Sequence, residues 1–181
     1  LQKVMVTNRH QANDTYAENN NDVESPIKTC ARFIQTPEKV KSGQPFAVTG
    51  LAQVGISGLS KVQYWLHPAG QPLPGGDSYL TRGEWRDAII LPPPVKWGSD
   101  FPDGKLPTVL QFDTRSGQPV NWPIPNTIVH WAALTQVNSP GEFDLRCRTI
   151  DGNGIAQPLP RPFGLSGINK IEVARITAGP A

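Results

Sequence analysis

The 181 residues make one domain's worth of chain, with no run of about 18 apolar positions to serve as a membrane-spanning helix. Lys and Arg total 17 against 15 Asp and Glu, a formal charge of +2 that supplies no electrostatic case for nucleic acid or an anionic membrane as partner. Nineteen prolines and 17 glycines cut helices short and suit an all-β domain joined by long loops.

Residues 1 to 28 read as an extended linker or arm: from Thr7 onward they are thick with Asn and Asp and carry neither a strand nor a helix period. The pattern changes at Thr29. "TCARFIQTP" alternates, "PFAVTGLAQV" (45 to 54) is rich in β-branched and small apolar residues, and "LSKVQYWLH" (59 to 67) follows the breakers Gly55 and Gly58. In this third strand Leu59, Val62, Tyr64 and Leu66 are expected to share a buried face, with Lys61 and Gln63 toward water. "WRDAIIL" (85 to 91) is the next strand expected. Residues 92 to 126 then form a long Pro/Gly-rich insert pinned by Trp97 and Trp122, of a length that is usually functional or partner-facing. Three further strands are expected at "TIVHWAALTQV" (127 to 137), "EFDLRCRTI" (142 to 150) and "INKIEVARI" (168 to 176). In the second of these, Phe143, Leu145, Cys147 and Thr149 fall on one face and Asp144, Arg146 and Arg148 on the other. About seven short strands separated by turn signals, with no βαβ rhythm, predict an immunoglobulin-like antiparallel β-sandwich over residues 29 to 181.

Catalytic chemistry finds little support. His10, His67 and His130 lie on the arm and on two different strands, without the spacing that places two ligands on one face. No Gly-x-Ser-x-Gly elbow presents a nucleophile, "GISGLS" precedes no helix that would cradle phosphate, and Glu84, Asp87, Asp100 and Asp103 are read as solvated charge. "DGNG" (151 to 154) lacks the alternating ligands and closing Glu of a calcium loop and reads as a turn. Cys147 reads as a small buried hydrophobe, and a bridge to Cys30 requires the first and penultimate strands to come close.

The order of motifs is more informative than any one of them. Ile34 to Pro37, Val48-Thr49-Gly50-Leu51-Ala52, Gly58 to Trp65, Trp85-Arg86-Asp87-Ala88 and Trp131 follow one another. The series ends in the spaced set Gly141, Leu145, Arg148, Asp151, Gly154, Gln157 and Pro158. This succession, over residues 29 to 176, resembles the C-terminal dimerisation domain of the sulfite oxidase family of molybdopterin-binding oxidoreductases. The opening residues are similar to that family's passage out of its cofactor domain, which would place Leu1 just past the boundary of a domain missing from this chain.

The resemblance implies an immunoglobulin-like fold of the E-set type and a non-catalytic role: forming a homodimer and packing against the upstream cofactor domain. It also implies a parent molybdenum-dependent oxidoreductase that is periplasmic or exported. No cofactor or metal is implied for this chain, because the family's molybdenum ligand is a cysteine of the other domain, so neither Cys30 nor Cys147 inherits that role. Sulfite-oxidising members also lend an arginine to the anion pocket, just before the glycine preceding the last strand. In Arg161-Pro162-Phe163-Gly164 that place holds Phe163, which leaves Arg161 as the nearest substrate-pocket candidate and speaks against sulfite as the parent's substrate. A secreted adhesion or carbohydrate-binding sandwich, with Trp97 and Trp122 as stacking platforms, is the rival reading.

Overall fold

The structure, a computed structural model, describes residues 29–77, 79–97, 112–158 and 169–181. The arm over 1–28, His10, Asp100, Asp103, Arg161 and Phe163 lie outside the described residues.

The strands in chain order are β1 (Cys30–Gln35), β2 (Lys39–Lys41), β3 (Phe46–Gln53), β4 (Leu59–Pro68), β5 (Arg86–Asp87), β6 (Ile89–Ile90), β7 (Ile128–Thr135), β8 (Gly141–Asp151) and β9 (Glu172–Gly179). They form two sheets, one ordered β1-β3-β7-β6 and the other β2-β9-β8-β4-β5. The all-β sandwich expected from the sequence is therefore present. It is not purely antiparallel: Lys39 to Lys41 run parallel to Thr177 to Gly179. That short strand, bounded by Pro37 and the left-handed Gly43 (φ 75°), is too brief for alternation to reveal.

The stretch 85 to 91, expected to be one strand, is two. Arg86–Asp87 pairs with β4, whereas Ile89–Ile90 pairs with β7 in the opposite sheet. Ala88 is the corner, with its N–H donating to the Val62 carbonyl at 2.8 Å and its small side chain packed against the core. A bulkier residue would meet both sheets at this seam.

Each sheet contributes its alternate residues to the interior, as a sandwich requires. Val48 and Ala52 of β3 and Val129, Trp131 and Ala133 of β7 meet Val62 and Tyr64 of β4, Leu145 and Cys147 of β8, and Ile176 of β9. Burying side chains the size of Leu145 or Ile176 stabilises the fold by about 1.5–3 kcal/mol each. Trp131 sits fully buried across from Gly50, its indole N–H donating to the Leu51 carbonyl at 3.1 Å and its ring edge-on to Phe33 at 5.7 Å.

Candidate functional site

The spaced motif residues gather at the β8 end and the turn after it, where their roles are structural. The Asp151 carboxylate accepts from the N–H groups of Asn153 (2.9 Å) and Ile155 (2.8 Å) and from the Ser57 hydroxyl (2.8 Å), so a single buried side chain closes this turn and ties it to the loop before β4. Gly154 is needed for its φ of 81°, since nothing lies near the place its Cβ would take. Gly152 is needed for room, because its Cβ would run into the Ser57 carbonyl. Gly141 opens β8 with a positive φ, and Leu145 is fully buried.

Gln157, joined to Pro158 by a cis peptide bond, is also fully buried. Its Oε1 accepts from the Ala31 N–H (3.0 Å) and the Thr149 N–H (3.3 Å), and its Nε2 donates to the Lys170 carbonyl (2.8 Å). One amide thereby holds the edge strand β1, the centre of the other sheet and the approach to β9.

The outward face of β8 departs from expectation. Arg146 and Arg148 are only 7% and 6% exposed. The Arg148 Nε donates to Gln63 at 3.0 Å and its guanidinium lies 4.1 Å from the centre of the Trp85 ring. Arg146 lies 5.5 Å from the Trp65 ring and reaches Asp144 at 2.9 Å, and the two tryptophans are 5.7 Å apart. Guanidinium planes over indole faces gain cation–π attraction while keeping a polar rim, which lets them sit under a loop. Burial pushes the Arg148 pKa below its usual value, partly offset by the Asp77 carboxylate in that loop. The tryptophan of the Trp85-x-x-Ala88 motif thus covers an arginine and its alanine turns the chain between sheets.

No constellation for catalysis emerges among the described residues. No group of three or more metal-ligating side chains comes together; His67 stacks on Trp65 at 4.8 Å, and His130 is exposed on the other sheet. Asp87 pairs with Lys61 at 2.7 Å. Cys30 and Cys147 are both free. Burial pushes both thiols up, Cys147 far more than the half-buried Cys30, so neither has the thiolate character of a nucleophile. An aromatic disulfide reagent at pH 8 is expected to leave Cys147 unmodified in the folded protein and to find two thiols after unfolding without reductant. Finding none would establish a bridge.

In the described parts of the insert, Trp97 packs edge-on against both Phe112 (5.2 Å) and Trp122 (6.0 Å), and the Trp122 N–H donates to the Leu91 carbonyl. Edge-to-face contacts of this kind pin a loop.

What remains unsatisfied is an apolar surface. On the outer face of the sheet β1-β3-β7-β6, register places Leu134 beside Ala47, Ala132 between Thr49 and Ile89, and Ile128 beside Gln53. Ile89 and Leu134 are each 69% exposed and Ile128 59%. Antiparallel sheets that face water usually carry polar residues there, and a contiguous apolar patch on such a face marks an interaction surface. The sequence carries a signal for it: in "TIVHWAALT" the set alternating with Val129, Trp131 and Ala133 holds Ile128, Ala132 and Leu134, broken only by His130.

No protein-family model matches this sequence, and no curated protein matches it.

Proposed function

We propose that this chain is a non-catalytic dimerisation domain, an immunoglobulin-like sandwich of the E-set type that pairs with a second copy through the outer face of the sheet carrying β3 and β7. The observation that carries the reading is the uncovered apolar group Ile89, Ala132 and Leu134, with Ile128 on the same face beyond His130. Arg32 of β1 and His130 of β7 are the ionisable residues that register sets beside Leu51 on that face, so a charged partner would find little to complement it. A self-complementary apolar patch is what a two-fold dimer needs. The parent protein is read as a sulfite oxidase-like molybdopterin oxidoreductase. The support for this is the order of motifs from Ile34 to Pro158 and the fold roles those residues serve, as expected of a domain defined by its architecture. Molybdopterin would then belong to an upstream domain against which this one packs.

Sedimentation at micromolar concentration is expected to show a dimer for this chain and for the protein carrying its upstream region. Leu134→Glu, at an exposed position that costs the monomer little, is expected to dissociate it by roughly 100-fold or more in Kd. A wild-type protein that remains monomeric would sink the dimer. The molybdopterin assignment stands or falls separately, on whether the region encoded before Leu1 holds a cofactor domain with one cysteine among arginines.

A further inference from the structure

One side chain on the outer face of the β1-β3-β7-β6 sheet places a titratable group among apolar neighbours. His130 lies on β7 between Ile128 and Ala132 on the same face. Across the strands it stands opposite Leu51 of β3 on one side and beside Leu91 on the other, where the Leu91 N–H donates to the His130 carbonyl at 2.9 Å. The imidazole is exposed, as is Leu91 at 39%. A second copy laid on this face would cover the ring together with those neighbours.

The charges around it are of one sign. Arg32 of β1 pairs with Leu51 from the far side, so one row runs Arg32, Leu51, His130, Leu91. Among the described residues, no carboxylate holds a ladder position on this face. Glu172 of β9, which reaches β1 from the other sheet, accepts from the Phe33 N–H at the free edge of that strand. The Cys30 thiol at the start of β1 is pushed up by burial and stays neutral in the acid range. An imidazolium at this place therefore meets no anion on its own copy, and a two-fold partner presenting the same face brings none.

We propose that His130 makes pairing through this face depend on pH: the neutral ring is covered with its apolar neighbours, and the protonated ring keeps the two copies apart. This rests on the dimer reading above and adds a regulation to it. Histidine is the side-chain type whose charge changes between about pH 5 and 8. Covering a cation that has no partner strips its water and returns nothing, and Arg32 adds like-charge repulsion. The separated copy then binds the proton more readily than the pair does, so pairing is complete on the alkaline side and is lost as pH falls. A two-fold dimer carries two such rings, so separation takes up two protons and the Kd rises by up to about 100-fold per pH unit in acid.

Sedimentation of the full chain at about pH 8 and about pH 5.5 tests this, with a Kd at least about tenfold higher expected at the lower pH. His130→Gln, polar but unable to take the proton and exposed in the single copy, should pair alike at both. His67→Gln, on the other sheet against Trp65, should keep the response. Wild-type pairing that changes less than about tenfold overturns the switch and leaves the dimer standing. So does a change that survives in His130→Gln, as acid unfolding of the sandwich would, or one that vanishes in His67→Gln. A chain that is monomeric at both pH values overturns the dimer and the switch together.

Discussion

Replacing Gln157 by leucine is expected to lower the unfolding free energy by about 3–5 kcal/mol in urea denaturation. The two side chains are similar in size, so the loss comes from the groups left behind. The Ala31 N–H and Thr149 N–H lose their acceptor, and the Lys170 carbonyl loses its donor, at a place where neither Ala31, Thr149 nor the amide is exposed to water. Each stranded buried group costs about 1–3 kcal/mol. Gln157→Glu separates the terms. It keeps the acceptor, can donate to Lys170 only while protonated, and buries a carboxyl whose folded pKa must rise above the unfolded value of about 4.3. The variant is therefore closest to wild type below that pH, and its stability falls as pH rises through the folded pKa. A loss under about 1 kcal/mol for the leucine variant would mean that water replaces the amide and that this cross-link between the sheets is dispensable.

Gly50→Ala is the second large effect. Gly50 is the glycine of the Val48-Thr49-Gly50-Leu51-Ala52 motif, and a Cβ there would run into the Arg32 carbonyl and the Trp131 ring at once. The carbonyl belongs to the β1–β3 ladder and the ring is fully buried, so neither can retreat cheaply. The expected cost is about 3 kcal/mol or more, at the upper end for overpacking, together with a changed near-ultraviolet circular dichroism spectrum as Trp131 shifts. Trp131→Leu in the same chain should recover part of that loss, so that the double variant loses less than the sum of the two single ones. Additive losses would place the strain at Arg32 alone.

These two residues show what sequence can convey about this molecule. Gln157 and Gly50 were legible as fixed points of a motif order, and the alternation of β3, β4, β7 and β8 gave the sandwich and most of its core. Their physical roles were not legible, because both depend on neighbours far away in the chain, Trp131 for Gly50 and, 126 positions off, Ala31 for Gln157. The same reason hid the corner at Ala88: seven residues with uniform strand propensity are split by which sheet each half happens to meet. Arg146 and Arg148 carried charge, the usual sign of exposure, and only the overlying tryptophans make their burial intelligible.

The parallel pairing of β2 with β9 has a mechanical consequence. A pull at Cys30 bears first on β1, which is held by its ladder with β3 and by the Gln157 amide at Ala31. The load then passes to Lys39–Lys41 against Thr177–Gly179. Because those strands run in the same direction, the opposed forces slide one along the other and stretch every bond between them simultaneously. Parting β2 from β9 along this direction therefore takes more force than peeling an antiparallel pair of the same length from its end, one bond at a time.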